Sequence, residues 1–402
     1  MKKTSLANRR DFLKSTALIG VAAGAGIFTG SAFALEPRTS PKIHNLYPFH
    51  GIHQQGISTP AQHHIYFMVL DLHVDDTQKI KEMFQTWTEY SRHLTEGKNV
   101  KAYGSNPYVP PVDTGESDSL NPSNLTLTFG VSPSFFEKLK ITPLKPKELE
   151  NLPHFPRDQI REEYSGGDIC IQACADDPQV AFHAVRNLVR VARGNVTMRW
   201  SQSGFNSFEG NETPRNLFGF KDGTGNPQGD DLAKTVWYEH DNWLKKGSFL
   251  AVRRIQMHLE TWDRTNLNGQ EETFGRHRDN GAPLGKHHEF HPVDLNEKNQ
   301  KGEPQIPEIS HLHLAKKTGQ SILRRSFSYA SGVDPRTGQF DAGLLFISFQ
   351  KDPKQFINIQ HSLGNIDKMN EYITHIGSGL FACFAGVKDE NDYLGKALFE
   401  QL

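Results

Sequence analysis

Residues Asp168–Gln202, DICIQACADDPQVAFHAVRNLVRVARGNVTMRWSQ, contain three successive secondary-structure signals. Asp168–Ala173 is an apolar run of strand length, and Val196–Gln202 predicts a second strand. Between them, apolar residues recur at helical spacing from Pro178 to Ala192, which predicts an amphipathic helix. A strand, a helix and a strand in this order are typical of the second half of a ferredoxin-like unit.

The rest of the chain predicts the missing part of this unit and then a second unit of the same kind. The first half begins with strand His63–Leu72, helix Asp76–Leu94, strand Leu125–Phe129 and a short helix at Ser132–Leu139. The second half repeats the order more loosely, with strands Ser248–His258, Ile322–Tyr329, Leu344–Gln350 and Leu380–Phe384 and helices Leu259–Gln270, Pro353–Leu363 and Ile366–Ile373. We therefore expect an α+β fold of two ferredoxin-like domains with antiparallel sheets, at residues 35–212 and 213–402.

The composition is that of a soluble globular protein, with 23% charged and 36% hydrophobic residues over 402 positions. The formal net charge is −1. Residues 1–34 hold five basic residues and one acidic residue, so the remainder carries about −5. This weak negative charge gives no electrostatic reason to expect binding to nucleic acid or to an anionic membrane surface.

The N-terminus resembles a twin-arginine export signal. Asn8–Lys14 reads NRRDFLK, and an uncharged stretch rich in Ala and Gly follows from Ser15 to Ala34. It ends in Ala-Phe-Ala, an A-x-A cleavage pattern. A Sec signal or a transmembrane anchor is the alternative. We expect residues 1–34 to be removed after export to the periplasm, which leaves a mature protein that does not span the membrane.

A glycine-rich segment holds the most unusual polar residues. Arg215–Pro227 reads RNLFGFKDGTGNP, and it sets Asp222 between apolar residues and a Gly-x-Gly turn. Glycines at such a turn let the backbone approach a ligand closely. Taken alone, the segment also fits an ordinary Asp-Gly turn. It is not a dinucleotide-binding fingerprint, because the third glycine is missing and no βαβ unit surrounds it.

Gly219–Gly223 matches the G-x-x-D-G motif of the dye-decolorising peroxidases, and the wider segment resembles their exported bacterial deferrochelatase/peroxidase subgroup. Other matching stretches are 49–57, 252–275, 281–285, 323–329, 343–350 and 386–393. The resemblance covers nearly the whole mature chain. It implies one haem b, held between the two domains and mostly by the C-terminal one. No Cys-x-x-Cys-His occurs, so covalent c-type attachment is excluded, and Cys170 and Cys174 are expected to be buried apolar residues.

The resemblance also implies roles for particular residues. Asp222 would be the distal acid/base, Arg324 the distal arginine, and His311 the proximal ligand of the haem iron, with His313 as the alternative ligand. A carboxylate can move a proton between the oxygens of peroxide, and a guanidinium stabilises the developing negative charge. Gly223, Thr224 and Gly225 would lie over the haem.

The sequence does not determine the roles of several further residues. Asp341 is a candidate to orient the ligating histidine. The stretch from His311 to Arg324 is shorter than in relatives, which leaves haem propionate contacts around Lys316, Lys317 and Thr318 undetermined, and Ser326 stands where many relatives have Asn or Gly. Trp200, Trp237, Trp262 and Tyr329 are either core residues or electron relays.

A histidine-rich stretch lies in the long polar loop at 275–308. It contains Arg276-His277 and the run His287–His291, HHEFH. The run is not an H-E-x-x-H zinc motif, because a single residue separates Glu289 from His291. We expect a solvated loop, with an accessory metal site as the alternative.

The function indicated by the resemblance is a peroxidase that reduces hydrogen peroxide and oxidises an external donor. Dyes, porphyrinogens or ferrous iron are candidate donors, and components of an iron-permease system are candidate partners. The rival hypothesis is a haem-handling protein that carries haem or releases its iron. A haem-free metal-binding module is a third class. The sequence leaves the donor and any homo-oligomer undetermined.

Overall fold

The computed structural model describes residues 46–402, so the predicted signal peptide at 1–34 lies outside the described residues. The first half contains β1 (His64–Leu72), α1 (Thr77–Thr95), β2 (Thr126–Val131), α2 (Pro133–Lys138), β3 (Ile169–Ala175), α3 (Pro178–Val191) and β4 (Val196–Phe205). Each of these elements was predicted, with ends that differ by a few residues. Within 46–402, no helix is both long and apolar enough to cross a membrane.

The second half contains more and shorter elements. They are α4 (Gly229–Val236), β5 (Ser248–Met257), α5 (Leu259–Trp262), α6 (Leu267–Phe274), α7 (His311–Lys317), β6 (Leu323–Arg324), β7 (Phe327–Asp334), β8 (Gln339–Gln350), α8 (Pro353–Leu363), β9 (Ile373–Cys383) and α9 (Lys396–Phe399). Five of the helices, α1, α3, α6, α7 and α8, begin after a residue whose side chain caps the first turn. Asp177 accepts from the backbone N–H groups of Gln179 and Val180, and Pro178 occupies the first turn of α3.

The nine strands found in residues 46–402 belong to one antiparallel sheet, in the order β5–β9–β2–β3–β1–β4–β7–β8–β6. Because β5 also pairs with β8 over eight residue pairs, the sheet closes into a barrel-like ring. The strands of the two halves meet at two short joints. β2 pairs with β9 through two residue pairs, and β4 pairs with β7 through one.

The two faces of the strands have different environments. The inward side chains of the ring form an apolar cluster that includes Phe67, Trp200, Phe349 and Phe381. Cys170 and Cys174 belong to it and are unpaired, as predicted. On the outer face, α1 and α3 cover the first-half strands, and the indole N–H of Trp87 donates to the Leu188 carbonyl at 2.8 Å.

The last strand is longer than predicted. Ile366–Ile373 was predicted as a helix, but only a 3₁₀ turn forms at Lys368–Glu371, and β9 runs from Ile373. β9 pairs with β5 from Ile373 to Cys383. Glycines obscured this strand in the sequence. A side chain at Gly377 would come within 2.7 Å of the Tyr164 carbonyl oxygen, so the close approach of that loop requires glycine.

Candidate active site

The outer face of β5, β8 and β9 forms one wall of a cavity of about 420 Å³. Helices α7 and α8 and the segment 216–225 contribute the other walls. Most of the lining surface is apolar, and the apolar lining residues are Phe218, Ile255, Met257, Phe274, Val293, Leu312, Ala315, Ile322, Leu344, Phe346, Phe356, Ile359, Leu363, Met369 and Ile373. Its size and apolar lining with a few polar groups are those of a site for a cofactor or a small molecule.

Asp222 and Arg324 meet at this cavity. Nη1 of Arg324 lies 2.9 Å from Oδ1 of Asp222, and both side chains line the cavity. Arg324 is the last residue of β6. The strand predicted at Ile322–Tyr329 is divided into β6 and β7 at Arg325 and Ser326, although the Arg325 N–H still donates to the Ile347 carbonyl at 2.8 Å. The Arg325 guanidinium donates to the carbonyl oxygens of Thr59 and Pro60.

A residue that the sequence did not single out holds Arg324. The side-chain Nδ2 of Asn226 donates to the Arg324 carbonyl at 2.7 Å, and the Arg324 N–H donates to Oδ1 of Asn226 at 3.0 Å. The two segments are 98 residues apart in the chain. Asn226 lies at the end of the glycine-rich segment, so its position in RNLFGFKDGTGNP was a usable signal.

The glycine-rich segment has a fixed local geometry. Oδ1 of Asn216 accepts from the Phe218 and Phe220 N–H groups at 3.0 and 3.3 Å. The N–H of Asp222 donates to the Pro214 carbonyl at 2.8 Å. Gly223 has φ of +125°, in the region that disfavours residues with a Cβ. In this conformation the Asp222 side chain lies against Arg324.

The histidine-rich loop supports this segment. Oε2 of Glu289 lies 2.8 Å from Nζ of Lys221, and Oε1 accepts from the Thr224 hydroxyl at 2.7 Å. The Glu289 side chain is only 9% exposed, so the prediction of a solvated loop is wrong at this residue. In residues 46–402 no three His, Cys, Asp or Glu side chains are grouped to hold a metal ion.

His311, the first residue of α7, also lines the cavity. Its Nδ1 lies 2.7 Å from Oδ2 of the buried Asp367, whose Oδ1 accepts from the Met369 N–H at 2.9 Å. The Nδ1–H bond to a carboxylate leaves Nε2 as the nitrogen able to bind a metal. His313 is not among the lining residues.

Asp341 does not orient the histidine, which corrects the expectation from the sequence. Both of its carboxylate oxygens accept from Nη2 of Arg254, at 3.0 and 2.9 Å. Arg254 is buried, and its guanidinium lies between the rings of Tyr164 and Tyr329. Asp341 is therefore the counter-ion of Arg254, because a buried guanidinium needs a negative charge beside it.

Two further side chains on the cavity wall have shifted pKa values. Burial lowers the pKa of His375 to about 3, and the nearby Arg253 and His311 act in the same direction. Burial also lowers the pKa of Arg276 to about 10, with Arg324 adding to the effect and Glu289 opposing it. Arg276 thus stays charged at neutral pH and His375 stays neutral. Of the three residues whose propionate contacts the sequence left undetermined, Lys316 lines the cavity, whereas Lys317 and Thr318 do not.

A second cavity of about 170 Å³ adjoins the first. Asn216, Asp222, Arg324 and Leu344 line both. Thr224 and Gly225 line the larger cavity, whereas Gly223 lines the smaller one. Asp222 and Arg324 therefore lie between the two cavities and are accessible from each of them.

The four aromatic residues considered as relays are all buried. Trp262 is nearest to the site by its contacts, because its indole N–H donates to the Phe218 carbonyl at 3.2 Å and its ring packs on the Phe218 ring.

One apolar cavity thus brings together a histidine bonded to a carboxylate and an aspartate paired with an arginine, which is the set of groups that a haem peroxidase uses. Comparison with known proteins gives the same class. Residues 54–206 match the N-terminal region of the Dyp-type peroxidases, and residues 213–388 match their C-terminal region. The chain belongs to the Dyp-type peroxidase family, and haem b is the cofactor expected for it.

Individual relatives are similar to this chain along nearly its whole length. A curated protein named deferrochelatase from Escherichia coli O157:H7 is 38% identical over 97% of this chain and 96% of its own length. The solved structure of an oxyferrous complex of DtpA from Streptomyces lividans superposes with a TM-score of 0.82 at 34% identity, over 87% of this chain and 96% of that one. A DyP-type peroxidase from Cellulomonas bogoriensis gives 0.80 at 33% identity, over 88% and 98%.

Proposed function

We propose that this peroxidase reduces hydrogen peroxide with Asp222 as the acid/base and Arg324 as the electrostatic partner, and that His311 is the ligand of the haem iron. The observation that carries the proposal is the 2.9 Å ion pair between Arg324 and Asp222 on the wall of the cavity that His311 also lines. A protein that only stores haem has no need for this pair.

The cavity residues fit haem b. The apolar side chains suit a porphyrin ring, and Nε2 of His311 is the nitrogen left for iron. Lys221, Arg276 and Lys316 line the same cavity and would offer positive charge to the propionates. Every lining residue lies between 216 and 375, which supports a haem site mostly on the C-terminal part of the chain.

We also propose that the fold comprises two ferredoxin-like units. The first-half strands are ordered β2–β3–β1–β4, and the second-half strands β7–β8–β5–β9. In each half the first strand of the unit pairs with the third and the fourth. This equal order is the support for two units, and the boundary at 212/213 stays a prediction.

The reaction needs one proton moved and one charge stabilised. The bound haem would supply the electrons that cleave the O–O bond. The Asp222 carboxylate would accept the proton of one peroxide oxygen and deliver it to the other, which then leaves as water. The Arg324 guanidinium stabilises the negative charge on the departing oxygen and holds Asp222 in place. Asp367 would stabilise positive charge on His311 through the 2.7 Å bond.

The smaller cavity gives the reaction a separate entrance in this proposal. Once haem fills the larger cavity, the space lined by Asn206, Asn226 and Ser326 still reaches Asp222. Its volume of about 170 Å³ is sufficient for peroxide together with water molecules. Peroxide would therefore reach Asp222 without passing through the larger cavity.

An absorption spectrum of the purified protein, before and after one equivalent of hydrogen peroxide, tests the function. We expect a Soret band that changes within seconds. His311→Ala should lose most of the bound haem, whereas Arg324→Leu should keep haem and react far more slowly. Reaction of Arg324→Leu at the rate of the unaltered protein would refute the distal assignment.

The second candidate is a haem-handling role, because the curated relatives at 38% identity are named deferrochelatase. Release of iron from intact haem would leave free porphyrin. Incubation of the haem-loaded protein with a reductant, followed by porphyrin fluorescence, separates this role from peroxidase turnover. A carrier or iron-releasing protein would show fluorescence, or haem transfer, without a reaction with peroxide.

We further propose export through the twin-arginine pathway to the periplasm, which would let the chain acquire haem before it crosses the membrane. Ferrous iron, porphyrinogens or dyes remain candidate donors, and an iron-permease system a candidate partner. Replacement of Arg9 and Arg10 by Lys, followed by cell fractionation, tests the route. The precursor should then stay in the cytoplasm.

A further inference from the structure

Glu289 holds the chain on both sides of the proposed acid/base. It contacts Lys221, the residue before Asp222, and Thr224, two residues after it, each through a different carboxylate oxygen, at 2.8 and 2.7 Å. The carboxylate is nearly buried, and each oxygen has a donor, so the geometry is that of a fixed brace.

The loop that carries Glu289 is itself tied to the site. Nη1 of Arg276 donates to the Glu289 carbonyl at 3.1 Å and to the Gly281 carbonyl at 2.7 Å. Nη1 of Arg215, at the start of the glycine-rich segment, donates to the Arg278 carbonyl at 2.6 Å. The brace therefore links two segments that are each anchored elsewhere.

Hydrogen bonds restrain the part of the glycine-rich segment before Asp222, but two glycines follow it. Gly223 and Gly225 remove side-chain restraint next to Asp222, and glycine has more conformational freedom to lose than any other residue. A single close contact of 2.9 Å joins Asp222 to Arg324. A shift of about 1 Å in a reacting group can cost roughly 100-fold in rate.

We propose that Glu289 is a positioning residue of the peroxide reaction, which sets Asp222 against Arg324 by holding Lys221 and Thr224. This inference rests on the proposed roles of Asp222 and Arg324. It also gives the histidine-rich loop a function that requires neither a metal nor its histidines.

The charge of Glu289 persists in weak acid. Burial acts to raise its pKa, but hydrogen bonds from Lys221, Thr213 and Thr224 outweigh burial, and the pKa lies below its usual value of 4.5. The facing groups are the cations Lys221 and Arg276 and the hydroxyls of Thr213 and Thr224. The brace is therefore intact above pH 4.5 and is lost as the pH falls through the lowered value.

The test compares Glu289→Gln with Glu297→Gln, a control in the same loop whose carboxylate pairs with Lys286 at 2.7 Å. In the haem-free protein, hydrogen exchange of residues 214–227 should accelerate in Glu289→Gln and stay unchanged in Glu297→Gln. In the haem-loaded protein, kcat/KM for peroxide should fall roughly 10- to 100-fold, with kcat/KM for the reducing donor unchanged.

The results for Glu289→Gln distinguish a positioning role from general damage to the protein. Normal exchange and a normal peroxide step in Glu289→Gln overturn the inference, and an equal fall in both kcat/KM values indicates general damage and also overturns it. If Glu289→Gln does not fold, Thr224→Val removes one of the two contacts, and a peroxide step at the wild-type rate in that variant overturns the inference. If the unaltered protein does not react with peroxide, the proposed function fails, while the exchange result still reports on the brace.

Discussion

Nδ1 of His311 and Oδ2 of Asp367 lie 2.7 Å apart, and the carboxylate is 2% exposed. Asp367 follows α8, and its other oxygen caps the 3₁₀ turn that leads into β9. Its position is therefore fixed by the backbone on both sides of it. A buried carboxylate on the far nitrogen fixes the ring orientation and makes Nε2 a better donor to a metal.

Asp367→Asn should retain haem but raise the reduction potential of the iron. The amide oxygen can still accept from Nδ1, so the ring stays oriented, but the negative charge that favours the ferric state is lost. We expect the peroxide step to slow by roughly 10-fold, the lower end of the range for partners of metal-ligating histidines. Redox titration and stopped-flow absorption measure the two effects.

Asp341→Asn is the matched control, because Asp341 is the carboxylate that the sequence suggested. Its partner is Arg254, so the variant should lose stability and leave the reduction potential unchanged. A potential that shifted in Asp341→Asn and stayed constant in Asp367→Asn would show that the hydrogen bond to His311 is not the controlling contact.

Asp341 and Asp367 show which parts of the site could be predicted from the sequence and which could not. Local periodicity predicted the elements of the first half, and the resemblance to the dye-decolorising peroxidases indicated Asp222, Arg324 and His311. The partner of His311 could not be found in this way, because Asp367 lies 56 residues further on and only the tertiary fold brings it to the ring. Glu289 was missed for the same reason, since a polar loop with charged neighbours looks solvated until it is packed.

The errors in the second half have a related cause. β9 was cut short because Gly377 and Gly379 weaken the strand signal, although they serve close packing against neighbouring chain. The strand expected at Ile322–Tyr329 is divided at Arg325 and Ser326, and the Arg325 side chain contacts Thr59 and Pro60, which lie far away in the chain. Local sequence carries no information about such partners.

Asn226→Ala should misplace Arg324 while leaving haem bound. The variant removes the reciprocal hydrogen bonds at 2.7 and 3.0 Å and leaves two backbone groups of Arg324 without these partners. Each lost bond to a partly buried group costs roughly 1 kcal/mol or more. We expect the peroxide step to slow about 10-fold in stopped-flow experiments, with haem content unchanged. Asn299→Ala, in a surface turn, is the control, and equal rates in the two variants would argue against a role for Asn226.

Gly223→Ala should destabilise the glycine-rich segment through its backbone rather than through a clash. The φ of Gly223 is +125°, whereas an added Cβ would meet its nearest neighbour only at 3.6 Å. The cost is therefore conformational and of order 1–3 kcal/mol. Gly104→Ala is a suitable comparison, because a Cβ there meets nothing within 4 Å and φ is not positive. Thermal unfolding should show a loss for the first variant and none for the second.

The lowered pKa of His375 should make the folded state of the haem-free protein less stable in acid. Its folded pKa of about 3 lies below the usual 6.5, so between these values the unfolded chain takes up a proton that the folded chain does not. Stability therefore falls as the pH drops from 6.5 toward 3, by at most about 1.4 kcal/mol per pH unit from this group. His375→Gln should flatten this dependence in urea unfolding at pH 7, 6 and 5, whereas His287→Gln, at an exposed position, should not. An identical pH slope in His375→Gln and the unaltered protein would mean that His375 is protonated in the folded state, and that burial beside Arg253 does not keep it neutral.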